Sequence, residues 1–393
     1  MKAYDYVLVG GGMAAEAAVQ GIRRRDRQGS ILMVSEELFP PYARPPLSKR
    51  LWMDERMEEI WLPGWQRHAN VELLLNTRIT RISRDSQVVD TAEGRQFAYG
   101  KLLLATGGHP RVIPGSSERV YYVGSLGEHI RLWKAVREPS QLLVVGGGFI
   151  GAEMAAVLSS QGHRVQWVIA EKEPFAGFFP PTLRERVASE YRGHGVSITT
   201  GELVSRFESG ADGVTALFES GGQATAQAAV VGIGLALNDG LGIDASLSEG
   251  PGIVVDDGLR TVDPYIWAAG DVAVMRTAPH PMLHEDHAVT QGRMAGENMA
   301  GAQKRYTHVP FFYSDLYQFG YEAIGDCRTD LEMVEDWVNP GEEGVVYYLR
   351  QGQVVGVLNW NVWDGIPKAR ELLGAEKVWR PDELRGQIRN QGE

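Results

Sequence analysis

Small residues stand at one spacing in two places, and that spacing is typical of a dinucleotide-binding fingerprint. The pattern G-x-G-x-x-(A or G) is filled by Gly10, Gly12 and Ala15, and again by Gly146, Gly148 and Gly151. The first glycine permits a tight turn from strand to helix, the second lets the backbone approach a pyrophosphate, and the third small residue lets the helix pack on the strand. The helix N-terminus adds N–H donors and a positive dipole end. Two dinucleotide sites are therefore predicted.

An acidic residue follows each fingerprint at the distance expected for a ribose contact. Glu36 lies 21 residues after Ala15, and Glu171 lies 20 residues after Gly151, each at the end of a second apolar run. A carboxylate at this position accepts hydrogen bonds from the ribose hydroxyls of an adenosine. One fingerprint alone is weak evidence, but two with acidic partners are far less expected by chance. Two nucleotides in one chain indicate a flavin that stays bound and a nicotinamide nucleotide that binds and dissociates.

A third segment carries a carboxylate at the end of an apolar strand. Residues 261–269 are followed by Gly270 and Asp271, and a helix comes after the next loop. Because ligands bind at the carboxyl ends of parallel strands in open α/β sheets, Asp271 is predicted to bond the flavin ribitol. The strand then belongs to the first nucleotide-binding domain, which makes that domain discontinuous.

The elements that position these residues form a chain of 393 residues, 44% hydrophobic and 23% charged. This length and composition predict two or three globular domains. No stretch approaches about 18 consecutive apolar residues, so a transmembrane helix is not expected. The first strand begins within a few residues of Met1, which leaves no room for a signal peptide. A cytoplasmic location is therefore expected.

The charge of the chain argues against nucleic acid as a partner. The formal net charge is -11, whereas non-specific nucleic-acid binding needs a cationic surface. The local exception is residues 23–27, where four arginines surround Asp26. This cluster is interpreted as a solvated helix end, with a docking patch for an acidic electron-transfer partner as the alternative.

Cysteine usage restricts the chemistry further, because Cys327 is the only cysteine. Flavoproteins that reduce disulfides need a redox-active cysteine pair, and those that reduce peroxide need a reactive cysteine near the flavin. Neither mechanism has its residues here. Cys327 is expected to be a buried or half-buried small side chain.

The coarse pattern between the motifs predicts further strands and a helix, and from Tyr306 onward the chain changes character. Residues 101–108 and 229–234 are predicted to form strands that end in small-residue turns, and residues 130–136 a helix. Residues 345–350 and 353–358 flank Gln351-Gly352, which predicts a β-hairpin, and a helix is expected over 366–373. This last region is predicted to be an α+β domain. Two of its tryptophans, Trp360 and Trp363, are interpreted as core residues.

Residues 38–49, LFPPYARPPLSK, resemble the PY-x-RPPLSK segment of apoptosis-inducing factor and of bacterial ferredoxin and rubredoxin reductases. Several other stretches are closer to apoptosis-inducing factor than to the reductases, among them residues 266–271, 285–288, 292–299, 314–316, 320–325 and 358–361. The similarity extends from Tyr4 to about Leu373. The chain therefore resembles a compact bacterial member without the targeting segment of the mitochondrial protein.

The resemblance implies a glutathione-reductase-like arrangement, in which two Rossmann-like α/β domains precede a C-terminal α+β domain. The FAD-binding domain is expected over residues 1–115 and 245–305, the NADH-binding domain over 116–244, and the C-terminal domain over 306–393. The resemblance also implies that Arg44 and Lys49 flank the isoalloxazine, and that Lys49 pairs with Glu153. A cation near flavin N5 stabilises arriving electron density, so Lys49 and Glu153 are the candidate catalytic residues.

Motifs and resemblance together give two sets of candidate cofactor-binding residues. The FAD set is Gly10, Gly12, Ala14, Ala15, Glu36, Arg44, Lys49, Ala105, Thr106, Gly107, Asp271, His284, His287 and Ala288. The NADH set is Gly146, Gly148, Phe149, Ile150, Gly151, Glu153, Glu171 and Gly234. Glu171 should repel a 2′-phosphate and favour NADH over NADPH, although its neighbour Lys172 could soften this preference.

His284 and His287 are three residues apart at the start of a predicted helix, a spacing at which two histidines could bind one metal ion. No third ligand lies nearby in a recognisable pattern, so no metal is predicted. The resemblance puts this segment at the pyrimidine edge of the flavin, with a helix from about Ala288 facing N1. The chain departs from the mammalian protein at Thr307, where that protein has a tryptophan beside the flavin. An aromatic relay is therefore not expected here.

These features predict an FAD-dependent NADH oxidoreductase. Hydride would pass from NADH to flavin N5, and electrons would leave directly for a ferredoxin- or rubredoxin-type protein or a quinone, without a redox cysteine. The alternative is an NADH-responsive redox sensor or scaffold, in which a flavin–nicotinamide charge-transfer complex alters dimerisation. A homodimer stays open in either case.

Overall fold

The computed structural model describes residues 1–53, 56–248, 250–277 and 282–389. The chain forms two compact units, each assembled from three separate segments. Unit 1 comprises Met1–Pro45, Arg56–His109 and Leu235–His308, and unit 2 comprises Pro46–Glu55, Pro110–Gly234 and Val309–Glu393.

The strands, in chain order, are β1 (Lys2–Val9), β2 (Ile31–Val34), β3 (Val71–Leu74), β4 (Ile79–Ser83), β5 (Val88–Thr91), β6 (Gln96–Leu104), β7 (Gly108–Pro110), β8 (Val120–Tyr121), β9 (Gln141–Val145), β10 (Arg164–Ile169), β11 (Ser197–Thr200), β12 (Val204–Ser209), β13 (Val214–Phe218), β14 (Gln223–Ala226), β15 (Ala228–Val231), β16 (Leu235–Leu237), β17 (Ile253–Val255), β18 (Ile266–Ala268), β19 (Ala273–Met275), β20 (Phe311–Leu316), β21 (Phe319–Gly325), β22 (Glu332–Asn339), β23 (Glu343–Arg350) and β24 (Gln353–Trp360).

The α-helices are α1 (Met13–Arg23), α2 (Leu126–Ala135), α3 (Phe149–Ser160), α4 (Pro181–Gly193), α5 (Gly240–Asp244), α6 (Glu285–Met299), α7 (Ile366–Gly374) and α8 (Pro381–Leu384). Short 3₁₀ helices span Pro45–Ser48, Arg50–Trp52, Met57–Ile60 and Pro63–Arg67.

Unit 1 is organised around one sheet of order β3-β2-β1-β6-β5-β4, with β18 also paired to β6. The strands β3, β2, β1, β6 and β18 are parallel, and β4 and β5 add an antiparallel edge. The apolar ends of the central strands are buried on both faces, as parallel strands require. The pairing of Ile266 with Leu102 confirms that the chain returns to the first sheet before Asp271.

The helices α1 and α6 of unit 1 pack at very close range because glycines line their contact. A Cβ atom on Gly292 would lie 2.1 Å from the carbonyl oxygen of Ala14, and one on Gly296 would lie 2.1 Å from that of Ala18. On the other helix, a Cβ on Gly21 would lie 2.0 Å from the carbonyl oxygen of Arg293. No side chain fits at these points, so the glycines hold the middle and the C-terminal half of α6 against the first fingerprint helix.

Unit 2 contains a parallel sheet of order β11-β10-β9-β15-β8 and a three-stranded antiparallel sheet, β12-β13-β14. The fingerprint helix α3 follows β9, as the sequence predicts. The helix α2 begins earlier than predicted, at Leu126, because the hydroxyl of Ser125 accepts a hydrogen bond from the N–H of Glu128 and caps it.

The C-terminal region of unit 2 is an antiparallel sheet of order β20-β21-β24-β23-β22, packed with α7. The predicted hairpin forms between β23 and β24, and its turn residues Gln351 (φ 52°) and Gly352 (φ 75°) have the positive φ values of a two-residue hairpin turn. Cys327 and Trp360 are buried, as predicted. The prediction for Trp363 is wrong, because this side chain follows the end of β24 and is 44% exposed.

The predicted fold class is confirmed: two Rossmann-like parallel sheets and a C-terminal antiparallel sheet with helix. The three-domain division of the chain, with its boundaries, stays a prediction. Among the described residues, no helix combines the length and the apolarity needed to cross a membrane.

Candidate functional site

The first fingerprint of unit 1 forms a loop that only glycine can build. Gly10 has φ +124°, and a Cβ there would lie 2.1 Å from the carbonyl oxygen of Ala105. Gly12 is the N-cap of α1, and no described side chain caps that helix. A Cβ on Gly12 would have Arg44 Nη2 as its nearest neighbour, at 3.9 Å, so the space in front of the helix is open. The loop therefore fits a pyrophosphate whose oxygens accept the first N–H groups of the helix. Ala14 and Ala15 follow in the buried first turn of α1.

The side chain of Arg44 is held beside this loop by an acidic residue that the sequence analysis missed. Its guanidinium forms an ion pair with Glu37 and donates to the hydroxyl of Tyr42 at 3.3 Å. Tyr42 in turn donates to Glu37 Oε2 at 2.6 Å. The predicted ribose ligand, Glu36, has a side chain that is 61% exposed, with Arg78 Nε at 3.9 Å. The two adjacent carboxylates thus differ, since Glu37 orients an arginine and Glu36 faces outward.

Asp271 lies at the carboxyl end of β18, where the sequence predicted it. Burial raises the pKa of its carboxyl to about 6, and the nearby positive charge of Arg44 opposes that rise. In the described part of the chain, the Asp271 carboxylate has no hydrogen-bond partner. A half-buried carboxylate can accept hydrogen bonds, so Asp271 fits a ligand with hydroxyl groups.

The helix α6 begins at Glu285, three residues before the predicted start near Ala288, with His284 as its N-cap. Burial lowers the pKa of both His284 and His287 to about 4, so both imidazoles are uncharged at neutral pH. His287 Nδ1 lies 2.9 Å from the hydroxyl of Tyr306. His308 pairs with Asp286 at 2.5 Å. The start of α6 therefore presents neutral rings and a positive helix end.

The turn after β6 completes the site in unit 1. Thr106 Oγ1 donates to the carbonyl oxygen of Asn238 at 2.7 Å, and Asn238 Nδ2 donates to the carbonyl oxygen of Thr106 at 2.8 Å. Ala105 lies against Gly10, and Gly107 has φ +62° with open space around its Cα. The predicted residues 105–107 therefore border the fingerprint loop, with Asn238 as a partner that the sequence did not reveal.

The second fingerprint, in unit 2, has nearly the same backbone. Gly146 has φ +122°, and a Cβ there would lie 2.2 Å from the carbonyl oxygen of Gly232. A Cβ on Gly151 would lie 2.1 Å from the carbonyl oxygen of Gly146. Gly148 caps α3 in an extended conformation, and a Cβ on it would meet nothing within 4 Å. This loop also fits a pyrophosphate.

The surroundings of the second loop are open. A Cβ on Gly147 would lie 2.6 Å from Glu171 Oε2, which puts this carboxylate beside the loop. Ile150 is 39% exposed and Ile233 is 38% exposed. Gly234 has φ +93° and open space around it. Phe149, the first residue of α3, packs on aromatic rings of unit 2, among them Phe175, Phe178 and Phe312.

Unit 2 also brings Lys49 and Glu153 together. Lys49 Nζ lies 3.3 Å from Glu153 Oε1, and the Glu153 side chain is almost completely buried. Ser48 and Ser314 each donate a hydrogen bond of 2.5 Å to this carboxylate. Burial raises the pKa of Glu153, whereas Lys49 and the two hydroxyls oppose that rise. The serines were missed, because 105 and 161 residues separate them from Glu153 in sequence.

Comparison with known protein families gives two matches. The family described as pyridine nucleotide-disulphide oxidoreductase matches residues 4–292. The family described as apoptosis-inducing factor, mitochondrion-associated, C-term matches residues 295–343 and 334–375.

Solved structures of similar fold include two reductases. Putidaredoxin reductase, in its covalent complex with putidaredoxin, is 27% identical with a TM-score of 0.89, over 96% of this chain and 95% of that chain. The ferredoxin reductase for the CYP199A2 system from Rhodopseudomonas palustris is 26% identical with a TM-score of 0.89, over 96% of each chain. The water-forming NADH oxidase from Lactobacillus brevis, bound to NADH, shares the fold at 21% identity with a TM-score of 0.84, over 98% of this chain and 96% of that chain.

Proposed function

The chain belongs to the pyridine nucleotide-disulphide oxidoreductase family, and from that premise we propose that it passes electrons from NADH through FAD to an external protein acceptor. As a member of this family it is an NAD(P)H-dependent flavin oxidoreductase that uses FAD and NAD(H). The observation that carries the finer proposal is the pair of glycine loops, which share a backbone and differ in their surroundings.

FAD is assigned to unit 1, where bound flavin would supply an N5 atom able to take up two electrons. The first-turn N–H groups after Gly12 would bind its pyrophosphate, and Glu36 the adenosine ribose. Asp271 would accept hydrogen bonds from the ribityl hydroxyls. The positive end of α6, beside the uncharged rings of His284 and His287, would favour a negative charge at the pyrimidine edge.

NADH is assigned to the loop of unit 2. The exposed Glu171 carboxylate beside Gly147 would accept the ribose hydroxyls of the adenosine and repel a 2′-phosphate. The neighbouring Lys172 is the residue that could weaken this discrimination. Exposed Ile150 and Ile233 give the loop an apolar, accessible border, which suits a cofactor that must exchange in every turnover.

The Lys49–Glu153 pair is proposed to control the rate at which NADH reduces the flavin. The resemblance of the RPPLSK segment supports this role. The chemistry supports it too, because a buried cation held in one orientation by a carboxylate can stabilise electron density arriving at a nearby ring. FAD retention would not depend on this pair.

A small acidic electron-transfer protein is proposed as the acceptor. Cys327 is buried and burial raises its pKa, so it has the properties of an inert thiol rather than a redox group. On unit 1, a cleft of about 410 Å³ is lined by Glu16, Gln20, Arg23, Arg24, Gly64, Arg67, His68 and Arg293. Arg67 and Arg293 give this cleft positive charge on a chain whose formal net charge is -11. Such a surface favours an acidic protein over a quinone, which would need an apolar site.

Within the predicted arginine cluster 23–27, the residues divide into different roles. Arg23 is buried and donates to the backbone oxygens of Asp26, Gly29 and Ala69. Arg24 pairs with Glu297 at 2.9 Å. The candidate docking charges are therefore Arg67 and Arg293 of the cleft rather than the cluster as a whole.

Turnover with a panel of acceptors tests the proposed function. The purified flavoprotein is reduced with NADH and mixed with a ferredoxin, a rubredoxin, a quinone and an artificial dye. Fast reoxidation by an iron–sulfur protein is expected. Slow reoxidation by every acceptor would instead support the redox-sensor alternative, in which a change in dimerisation would follow NADH binding.

The organisation of the chain is part of the proposal. The proposed division is an FAD-binding domain over 1–115 and 245–305, an NADH-binding domain over 116–244 and a C-terminal domain over 306–393. The proposed location is the cytoplasm. A homodimer is compatible with this function and is not required by it.

A further inference from the structure

The buried carboxylate of Glu153 receives one hydroxyl hydrogen bond at each of its oxygens. Ser48 Oγ donates to Oε2 at 2.5 Å, and Ser314 Oγ donates to Oε1 at 2.5 Å. Lys49 Nζ approaches Oε1 at 3.3 Å. Both serines and Glu153 are nearly inaccessible to solvent. The carboxylate is thus held from two sides by neutral donors in addition to its ammonium partner.

The donors come from elements far apart in the chain. Ser48 ends the 3₁₀ helix Pro45–Ser48, immediately before Lys49, and Glu153 lies in the first turns of α3. Ser314 lies in β20 of the C-terminal sheet. The residue before it, Tyr313, accepts a hydrogen bond from Lys49 Nζ at 3.2 Å through its carbonyl oxygen, and Lys49 Nζ lies 4.3 Å from the centre of its ring. Two consecutive residues of β20 therefore hold the two members of the ion pair.

We propose that Ser48 and Ser314 are positioning residues that keep the Glu153 carboxylate ionised and oriented toward Lys49. This inference rests on the proposed role of the Lys49–Glu153 pair in reduction by NADH. It also gives the C-terminal sheet a role in the reaction. Its strand β20 supplies the hydroxyl of Ser314 and the carbonyl oxygen of Tyr313, which accepts a hydrogen bond from Lys49.

The physical reason is that burial alone would favour the protonated acid. Burial raises the pKa of Glu153, and Lys49, Ser314 and Ser48 each lower it. Two other titratable groups face this carboxylate: Tyr191 of α4 and Tyr321 of β21. Burial raises the pKa of both phenols well above the ordinary value, so they stay neutral in the working pH range.

Removing one hydroxyl should therefore move the protonation of Glu153 toward neutral pH. Once protonated, Glu153 no longer balances the charge of Lys49, and the pair is lost. Because the missing hydrogen bond is one to a charged group, we expect the acid limb of the reduction rate to move up by about one pH unit.

The test compares Ser48→Ala, Ser314→Ala and Ser314→Thr, with Ser159→Ala of α3 as a matched control. Ser159 is a partly buried serine of the same helix as Glu153, and its hydroxyl donates to the carbonyl oxygen of Ala155 at 2.8 Å. Anaerobic reduction by NADH is followed from pH 5.5 to 8.5. Both alanine variants should lose about fivefold to tenfold in rate at the acid end and little at pH 8.5. Ser314→Thr keeps a hydroxyl group and should therefore keep the parental pH profile of the reduction rate. Ser159→Ala should also show the parental profile.

A second readout does not depend on activity. In pH-difference infrared spectra of the oxidised protein without NADH, the carbonyl band of a protonated buried carboxyl should appear at higher pH in the alanine variants. That band should vanish when Glu153→Gln is added. If one alanine variant fails to fold, the other serine variant and Ser314→Thr still decide the question.

An unchanged acid limb and an unchanged infrared band in the folded alanine variants would overturn the inference. The proposed role of the pair is judged separately, through Lys49→Ala and Glu153→Gln. Normal reduction rates in those two variants would refute the role of the pair itself. Slow rates in them, together with unshifted serine variants, would refute only the positioning role of the serines.

Discussion

The two glycine loops of this protein have almost the same backbone and very different neighbours. Gly10 and Gly146 have φ values of +124° and +122°. A Cβ on either residue would lie within 2.2 Å of a carbonyl oxygen, that of Ala105 or of Gly232. The N-cap residues Gly12 and Gly148 also agree, with φ/ψ of -89°/-168° and -85°/-174°. The shared geometry would suit a pyrophosphate in both loops, and it does not distinguish the two cofactors that the loops are proposed to hold.

The difference lies in the side chains around each loop. In unit 1, Arg44 is fixed by Glu37, and the half-buried Asp271 carboxylate stands at the end of β18. In unit 2, the loop is bordered by exposed Ile150 and Ile233. We expect the charged side chains beside the first loop to help retain its ligand, and the open border of the second loop to let its ligand exchange. Under the proposed assignment, we expect retention and exchange to depend on these surroundings rather than on the fingerprint.

The largest expected effect concerns the Lys49–Glu153 pair, which should separate reduction from flavin retention. Glu153→Ala leaves a buried ammonium without its partner, and breaking a buried pair costs on the order of 3–5 kcal/mol. We expect Glu153→Ala and Lys49→Ala each to slow reduction by NADH about 100-fold or more, since small displacements of reacting groups are costly. Stopped-flow absorbance gives the rate, and the flavin-to-protein ratio should stay at the parental value.

The double variant is the control for this prediction. Because both single changes break the same pair, Lys49→Ala/Glu153→Ala should cost less than the sum of the two single losses. Strict additivity would mean that the two residues act independently. Parental reduction rates in both single variants would show that the pair has no part in the reaction.

The local patterns of the sequence predicted the backbone of the two loops well. Each loop needs glycine for a positive φ and for a close approach to a carbonyl oxygen, and the motif that contains these glycines is only six residues long. The Lys49–Glu153 contact came from the resemblance of the RPPLSK segment, since 104 residues separate the two. Glu37, Asn238 and Ser314 were not found, because their roles arise from contacts between elements that only folding brings together. The exposure of Trp363 was mispredicted for a related reason: an aromatic residue just beyond a buried strand need not face the core.

The docking surface gives the next largest expected effect and extends the comparison to the acceptor. Charge reversal in Arg67→Glu and Arg293→Glu should raise the KM for an acidic ferredoxin about tenfold, because attraction between the proteins becomes repulsion. Turnover of these variants with an artificial dye should stay at the parental rate. The control is Arg27→Glu, because Arg27 is not one of the residues that line the cleft; its KM for ferredoxin should equal that of the parent. An equal loss with ferredoxin and with dye would point to damage within unit 1 instead of a docking role.

Cofactor discrimination in unit 2 should change by a smaller factor. Glu171→Ala removes the carboxylate beside Gly147, so the preference for NADH over NADPH should fall by about fivefold to tenfold, mostly through faster reduction by NADPH. Lys172→Ala is the matched neighbouring change and should sharpen the preference for NADH. If the parent protein is reduced by NADPH as fast as by NADH, the assignment of Glu171 fails.

The smallest expected effect is that of Cys327→Ser. Its thiol is buried, 3.6 Å from the carbonyl oxygens of Ile324 and Val357, and no step of the proposed path uses it. Reduction by NADH and turnover with the acceptor should therefore both stay within about twofold of the parental rates. A loss of more than about tenfold in the folded variant would reveal a thiol mechanism.

The most direct test of the comparison is a matched pair of variants, Gly12→Ala and Gly148→Ala. Neither position requires a positive φ. Among the described residues, a Cβ meets no atom closer than 3.9 Å at Gly12 and none within 4 Å at Gly148. Each methyl group would therefore fill the space in front of one helix N-terminus without disturbing the fold. Flavin content, the dissociation constant for NADH and reduction by dithionite are measured for both. Gly12→Ala should purify folded and depleted of FAD, whereas Gly148→Ala should keep FAD, be reduced normally by dithionite and bind NADH at least about tenfold more weakly. Flavin loss in Gly148→Ala, or weakened NADH binding with full flavin content in Gly12→Ala, would contradict the assignment of the permanent cofactor to unit 1 and the exchanging cofactor to unit 2.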